Sequence, residues 1–176
     1  ENTKLSGSKV GTLVHLVLQK LDFNKEYELK DITELLEKIE AKKIITKTEK
    51  ESVPKEKILA FTKTNIFKRL KTAKEVQREK PFYINIPAGE IYENNLEEKI
   101  LVQGIIDLYF IDENGNAILV DYKTDYVPNE DETYLIAKYE KQLRLYARAL
   151  KEALGKDVKE IYIYSTYLNK EITLDK

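Results

Sequence analysis

Residues 104–123 read Gly-Ile-Ile-Asp-Leu-Tyr-Phe-Ile-Asp-Glu-Asn-Gly-Asn-Ala-Ile-Leu-Val-Asp-Tyr-Lys, and this stretch decides the fold. Two runs rich in β-branched and aromatic residues flank a polar turn, which predicts a β-hairpin. Each predicted strand also carries a carboxylate, Asp107 in the first and Asp121 in the second. Because burying an unpaired charge is costly, an acid in each of two core strands indicates a chemical role.

The length of the turn decides whether Asp107 and Asp121 share a face of the sheet. Alternate residues of a strand point to the same face, so the acids meet only if paired residue numbers sum to an even value. A two-residue turn at 114–115 gives an odd sum and separates them. A three-residue loop over 113–115, with Gly115 left-handed, gives the even sum. We predict that loop, while a bulge elsewhere in the ladder would also correct the register.

Two neighbouring carboxylates and a lysine are suited to binding a divalent cation and activating water. Asp107 and Asp121 repel each other unless a proton or a cation lies between them. Oxygen ligands at this spacing suit Mg²⁺ or Mn²⁺, and Lys123 shares the strand face of Asp121. Taken alone, each motif is more often an edge charge or a salt bridge. Their pairing across one hairpin favours the metal site.

The other predicted elements surround the hairpin in the order helix, helical segment, three strands, helix, strand, which indicates the α/β class. Apolar periodicity and capping signals predict a helix at 8–21 capped by Ser8, a helix at 31–40 beginning at Asp31, and further helices within 54–75. Strands are predicted at 82–86, 100–111 and 117–127, with a polar loop at 88–98. A helix at 132–154, ended by Gly155, and a strand at 160–167 follow. The even-numbered side of the strand at 100–111 is expected to be its apolar face. The last strand is expected to lie parallel to its neighbour, because a long helix connects them.

Three more side chains are candidates for the same site. His15, the only histidine, lies among apolar residues of the first helix, where a core histidine is commoner than a ligand. An imidazole nevertheless completes a Mg²⁺ or Mn²⁺ site. Gln142 and Tyr146 are four residues apart and share a helix face. Either they belong to the packing surface of that helix, or they reach over the sheet toward the metal or the substrate.

The composition limits the class of protein. The 176 residues fit one domain, and no apolar run approaches the ~20 residues that cross a bilayer, so we expect a cytoplasmic protein with no membrane contact. The absence of cysteine excludes thiolate-bound zinc and iron–sulfur clusters from this chain.

The charges are unevenly distributed along the chain. Residues 41–80 contain 13 Lys and Arg against 5 Glu, whereas residues 81–137 contain 2 Lys against 12 Asp and Glu. A basic lobe beside an acidic centre suits a protein that holds phosphates and a metal ion. A solvated lysine-rich helical face explains the same charges equally well.

Five motifs in order resemble the RecB-type nuclease family of the PD-(D/E)XK superfamily. They are Gly11-x-x-x-His15, Arg78-Glu79-Lys80-Pro81-Phe82, Gly104-Ile-Ile-Asp107, Asp121-Tyr122-Lys123-Thr124, and Gln142 with Tyr146. The resemblance covers nearly the whole chain, and the residues around the motifs are similar to the C-terminal nuclease domains of AddA-type helicase–nuclease subunits. It implies a restriction-endonuclease-like αβββαβ core with a mixed sheet and a helical insertion after the first helix.

The resemblance also implies a domain organisation and a set of residue roles. Residues 1–176 would form one nuclease domain of a larger helicase–nuclease, with a first helix in 8–30, a basic helical insertion in 31–78, and the catalytic sheet and helix in 79–176. The implied metal ligands are His15, Asp107, Asp121 and the backbone carbonyl of Tyr122. The implied catalytic residues are Lys123, Asp107, Asp121, Gln142 and Tyr146. Of these, Gln142 and Tyr146 would also contact the substrate. Glu79 matches a family acid whose role the resemblance leaves open.

The implied activity is Mg²⁺- or Mn²⁺-dependent exonuclease cleavage of DNA, as a single strand or at a duplex end, during recombination repair of double-strand breaks. The implied partners are a helicase region of the same polypeptide and an AddB-like protein, in the bacterial cytoplasm near the nucleoid. The chain contains no Gly-x-x-x-x-Gly-Lys-[Ser/Thr] motif, so an ATP site lies outside it. Two alternatives stay open, a catalytically silent DNA-binding or assembly module and a protein-interaction domain that binds no nucleic acid.

Overall fold

A computed structural model of the chain describes residues 5–92 and 98–174. The helices and strands, in chain order, are α1 (Gly7–Lys20), α2 (Leu29–Ala41), α3 (Lys47–Ser52), α4 (Lys55–Phe61), α5 (Asn65–Leu70), β1 (Glu75–Pro87), α6 (Ala88–Tyr92), β2 (Lys99–Ile111), β3 (Ala117–Lys123), a 3₁₀ turn (Pro128–Glu130), α7 (Thr133–Leu154), β4 (Val158–Ser165) and β5 (Lys170–Leu174). In this part of the chain, no helix is both long and apolar enough to span a bilayer.

The five strands form one mixed sheet in the order β1-β2-β3-β4-β5. Neighbours are antiparallel except for β3 and β4, which are parallel and joined by α7. The predicted α/β class, the mixed sheet and the parallel last crossover are therefore confirmed. Gly155 ends α7 in the left-handed conformation (φ +67°), as the sequence predicts.

Helices cover both faces of the sheet. The five helices α1–α5 pack on one face, around an aromatic cluster in which the Phe61 ring lies 5.3 Å from that of Tyr122 and 4.8 Å from that of Tyr164. The long helix α7 packs on the other face, against residues such as Leu119 and Ile163. Strand β3 is buried from Ala117 to Tyr122, so the strand that carries Asp121 is enclosed by both layers.

The hairpin between β2 and β3 has the predicted register. Ile111 pairs with Ala117, an even sum, and the three-residue loop places Gly115 at φ +84°. The Asp112 carboxylate fixes the turn by accepting hydrogen bonds from the backbone N–H of Asn114 at 3.0 Å and of Asn116 at 2.8 Å. A glycine at the left-handed position is what this loop requires, because a β-carbon disfavours that conformation.

Halfway along β1 and β2, the even-numbered side chains change from one face of the sheet to the other. Leu108 and Phe110 pack under α1–α5, whereas Ile106 packs under α7, although all three numbers are even. The exchange coincides with Glu79, which has φ +49° and lies across from Asp107. A left-handed residue interrupts the alternation on which the prediction rests. The single apolar face predicted for 100–111 is therefore wrong.

Several predicted boundaries are also wrong. Helix α1 is capped by Ser6, two residues earlier than predicted, with Oγ accepting from Lys9 N at 3.3 Å. Asp31 lies inside α2 and accepts from Glu28 N at 2.7 Å, so it completes the cap without beginning the helix.

Other differences concern the sheet. Strand β1 begins at Glu75, inside the segment predicted to be helical, because pairing with β2 decides its conformation. It crosses the proposed 78/79 boundary, and α1 ends at Lys20, well before residue 30. Strand β5 was not predicted. In the expected polar loop at 88–98, residues Ala88–Tyr92 form α6, and residues 93–97 lie outside the described part.

An arginine joins the helical layer to the sheet. Both terminal nitrogens of Arg69, on α5, bind the Glu160 carboxylate of β4, at 2.8 and 3.0 Å, and Nη2 also lies 3.4 Å from Asp112 Oδ2. The Tyr162 hydroxyl donates to the same Glu160 at 2.6 Å. A bidentate arginine–carboxylate pair is among the stronger ion pairs in proteins.

We expect Arg69→Met to lower the free energy of unfolding by about 2–4 kcal/mol, because it leaves Glu160 and Asp112 without their cation. Urea denaturation measures this loss. The matched control is Lys151→Met, which removes an exposed ion pair with Asp157 and should cost less than about 1 kcal/mol. Equal effects in the two variants would contradict a structural role for the Arg69 network.

Candidate active site

The two hairpin acids lie where β2 and β3 stop pairing. The regular ladder ends at the Leu108–Val120 pair, one residue before Asp107 and Asp121. Asp107 Oδ2 accepts a hydrogen bond from the backbone N–H of Tyr122 at 2.9 Å, which holds this carboxylate toward β3. The charge of Asp107 acts on Asp121, so the two carboxylates lie near each other.

Asp121 is the most enclosed acid of the site, with 3% of its surface exposed. Burial and, secondly, the charge of Asp107 raise its pKa to about 6, while Lys123 opposes the shift. Lys123 Nζ forms an ion pair with Asp121 Oδ2 at 2.5 Å. The lysine therefore offsets part of the cost of burying this carboxylate.

His15 approaches the acids from α1. Its Nδ1 lies 3.6 Å from Asp107 Oδ2, and its ring meets Tyr122 edge-on at 5.9 Å. Burial by itself lowers the pKa of His15, but the contact with Asp107 and the charge of Asp121 raise it overall. One turn earlier, a β-carbon at Gly11 would lie 2.6 Å from Thr124 Oγ1, so a glycine is needed for α1 to approach the end of β3 this closely.

Lys123, Gln142 and Tyr146 form a connected row between the sheet and α7. Lys123 Nζ is 3.4 Å from Gln142 Oε1, and Gln142 Nε2 donates to the Tyr146 hydroxyl at 3.0 Å. The Tyr146 ring also packs 4.9 Å from Phe82. Tyr146 thus belongs both to the packing surface and to the row. A β-carbon at Gly104 would lie 2.7 Å from the Phe82 ring, which explains the glycine of that motif.

Sequence patterns did not single out Tyr139 as a site residue. Its ring centroid lies 4.1 Å from Lys123 Nζ, a cation–π contact, and its hydroxyl donates to Asp125 Oδ1 at 2.7 Å. Burial and the Asp125 hydrogen bond raise the pKa of Tyr139 to about 12. Tyr139 lies one turn before Gln142 on α7, so the spacing that indicates Gln142 also contains the signal for Tyr139.

Glu79 reaches the site from β1. Its Oε1 is buried and finds no hydrogen-bond partner in the described ranges. Burial and then the charge of Asp107 raise its pKa, against the influence of His15 and Gln19. A strained left-handed backbone with an unsatisfied carboxylate oxygen is expected at functional sites more than elsewhere.

The donor set fits a hard divalent cation. Across residues 5–92 and 98–174, no three acidic or imidazole groups are already arranged as a complete ligand cluster. The unsatisfied Oε1 of Glu79, the like charges of Asp107 and Asp121, and the raised pKa of Asp121 are, however, conditions that a bound cation relieves. Tyr122 uses its N–H toward Asp107, and the role of its carbonyl as a ligand stays a prediction.

Part of the basic charge in residues 41–80 is structural. Arg69 binds Glu160, and Arg78 donates to the carbonyl of Gln19 at 2.7 Å while lying 3.8 Å from the Phe23 ring centroid. These two arginines face the interior of the fold. A phosphate-binding role for this segment therefore depends on its lysines.

This sheet topology, with two acids and a lysine at the open end of its central hairpin, defines the class of PD-(D/E)XK nucleases. Residues 1–174 match the sequence profile of the PD-(D/E)XK nuclease superfamily. The chain therefore belongs to this superfamily, and the fold expected from the resemblance is confirmed.

Its curated relatives include AddA-type subunits of ATP-dependent helicase/nucleases. The chain is 43% identical to that of Clostridium novyi (strain NT) over 99% of its length, 43% to that of Alkaliphilus oremlandii (strain OhILAs) over 92%, and 40% to that of Clostridium perfringens (strain SM101) over 98%. The resemblance to AddA is thus confirmed. The chain spans about 14% of the length of each of these relatives.

Proposed function

We propose that this chain is a Mg²⁺- or Mn²⁺-dependent deoxyribonuclease domain that shortens DNA from an end. The observation that carries the proposal is the meeting of His15, Asp107, Asp121 and Lys123 at the open end of the β2–β3 hairpin, where the Asp121 carboxylate is buried and has a raised pKa. Membership of a nuclease superfamily supports it.

In this proposal Asp107, Asp121 and His15 hold the cation, together with the Tyr122 carbonyl. A bound Mg²⁺ or Mn²⁺ supplies positive charge to the phosphate and lowers the pKa of a coordinated water. Asp107 is oriented for this role by the Tyr122 N–H. His15 must be neutral to donate its lone pair, and its raised pKa therefore makes cation binding weaker at low pH.

Lys123 is the proposed catalytic lysine. Its ammonium contacts Asp121 and lies 3.4 Å from Gln142 Oε1, and the Tyr139 ring packs against it. From this position it either orients the attacking water or stabilises the charge that develops on the phosphate. Gln142 and Tyr146 position the lysine and line the approach of the substrate.

The wider role follows from the names of the relatives. We propose that the domain is part of a longer AddA-like polypeptide whose helicase region delivers single-stranded DNA to it, with an AddB-like protein as partner. The process would be recombination repair of double-strand breaks in the bacterial cytoplasm, near the nucleoid. The relatives are named as subunits of ATP-dependent helicase/nucleases, which supports this context.

Cleavage of end-labelled DNA tests the proposal. The purified chain is expected to shorten linear single strands with Mg²⁺ or Mn²⁺, and to be inactive with EDTA. Circular single-stranded DNA of the same length is the matched control, because an exonuclease needs an end. A catalytically silent module would bind the linear DNA in salt-sensitive fashion without shortening it, and an interaction domain would not bind it.

A further inference from the structure

Two exposed tyrosines form a pair beside the candidate active site. Tyr126 follows β3 and is 66% exposed, and Tyr167 lies in the turn between β4 and β5 and is 38% exposed. Their ring centroids are 5.1 Å apart at an interplanar angle of 77°. Residues 41 positions apart in sequence thus present two aromatic rings to solvent at one place.

The pair is held close to Lys123. Thr166, next to Tyr167, donates its backbone N–H to the carbonyl of Lys123 at 2.9 Å, and Tyr126 follows Lys123 by three residues. Three residues span at most about 11 Å. The backbone of Tyr126 therefore lies no more than about this distance from the backbone of Lys123.

A cation accompanies the rings. Lys57, on α4, donates to the carbonyl of Tyr167 at 2.7 Å, and its Nζ lies 5.8 Å from the Tyr167 ring centroid. Aromatic faces for bases and a lysine for the backbone are the two components of sites for single-stranded nucleic acid. The positive charge of Lys57 attracts the phosphates of a strand whose bases contact the rings.

We propose that Tyr126, Tyr167 and Lys57 form a stacking site for an unpaired base next to the cleaved phosphate. The inference rests on the proposed nuclease function and specifies its substrate as a strand with unpaired bases. Bases inside a duplex already stack on their neighbours and cannot offer a face to the rings. The site therefore selects single strands and frayed ends over intact duplex.

Binding of oligo(dT) to Tyr126→Ala tests the stacking site. The affinity is measured by fluorescence anisotropy with EDTA present, so that no cleavage occurs. We expect the Kd to rise about 5- to 100-fold for Tyr126→Ala and to stay near the wild-type value for Tyr126→Phe, which keeps the ring. The matched control is Tyr83→Ala, which removes a 69% exposed tyrosine from the edge strand β1.

An abasic oligonucleotide separates stacking from backbone binding. Removing the base that faces the rings should abolish the difference between wild type and Tyr126→Ala. The chain has 12 tyrosines and no tryptophan, so the part of the DNA-induced quenching of tyrosine emission that is lost in Tyr126→Ala reports contact between a base and this ring. If Tyr126→Ala does not fold, as judged by circular dichroism, Tyr126→Leu and Tyr167→Ala replace it.

Two results would overturn the inference. One is a Kd for Tyr126→Ala no higher than that for Tyr83→Ala, and the other is an equal loss on normal and abasic DNA. Either result, with a wild-type chain that cleaves DNA, defeats the stacking site and leaves the nuclease function intact. A wild-type chain that stacks bases but never cleaves defeats the nuclease function and the placement of the site next to a cleaved phosphate, and it leaves only the base contact.

Discussion

Asp121→Asn is expected to reduce divalent-metal-dependent DNA cleavage by at least about 100-fold. Loss of a residue that merely orients a metal ligand typically costs about 10- to 100-fold in affinity or activity, and loss of a ligand should cost more. The measurement is kcat/KM for an end-labelled single strand over a range of Mn²⁺ concentrations. Cleavage at the wild-type rate would remove Asp121 from the proposed site.

The same substitution should stabilise the chain in the absence of metal. The pKa of Asp121 rises from 3.8 to about 6 on folding, so the folded state binds more protons than the unfolded state between these pH values. The contribution of Asp121 to stability therefore falls as the pH rises from about 4 to about 6. Above that interval, Asp121→Asn should exceed the wild type by about 1–3 kcal/mol in the free energy of unfolding.

Urea titrations with EDTA at pH 4 and pH 7 measure this difference, which should be small at the lower pH. Asp125→Asn is the matched control with the opposite sign. Burial opposes ionisation of Asp125, but hydrogen bonds from Lys138 and Tyr139 hold its pKa below the ordinary value. Its removal should therefore destabilise the chain at pH 7 while cleavage persists. Destabilisation by both substitutions would contradict the prediction that the ionised Asp121 carboxylate lowers the free energy of unfolding at pH 7.

Lys123→Gln is expected to slow cleavage by about 100- to 1000-fold, the usual loss when a charge-stabilising donor is removed from an active site. Because Lys123 neutralises Asp121 at 2.5 Å, the variant should at the same time bind Mn²⁺ at least as tightly as the wild type. Single-turnover cleavage gives the rate, and calorimetric titration with Mn²⁺ gives the affinity.

Lys138→Gln is the matched control for Lys123→Gln. Lys138 Nζ lies 5.2 Å from the same Tyr139 ring but pairs with Asp125, outside the proposed ligand set. It should leave both the rate and the Mn²⁺ affinity near their wild-type values. Loss of Mn²⁺ binding in Lys123→Gln, without any change in the rate of the chemical step, would assign the lysine to metal binding instead of catalysis.

The sequence predicts the β2–β3 hairpin well because its turn and register depend on local rules. The left-handed Gly115 and the parity of strand numbering are properties of a few adjacent residues, and the register follows from them. The order of helices and strands is also predictable from periodicity. The AddA-type resemblance adds the identity of the superfamily.

The remaining features depend on contacts between distant residues. Glu79 adopts a left-handed conformation that no propensity predicts, and the exchange of strand faces follows from it. Strand β1 begins at Glu75 because β2 is available to pair with it. The inward arginines Arg69 and Arg78 show that a count of charges cannot distinguish a surface that binds phosphate from ion pairs within the fold.

Because the faces exchange at Glu79 and Asp107, the two-stranded ribbon formed by β1 and β2 packs against both helical layers. On one side of this crossing point Val76, Leu108 and Phe110 pack on α1–α5, and on the other side Phe82, Ile84 and Ile106 pack on α7. Any movement of one helical layer relative to the other must bend the ribbon at this crossing point. Asp107, a proposed metal ligand, lies there. We therefore expect substitutions in either core to shift Asp107, so the activity of this domain should depend on packing far from the site.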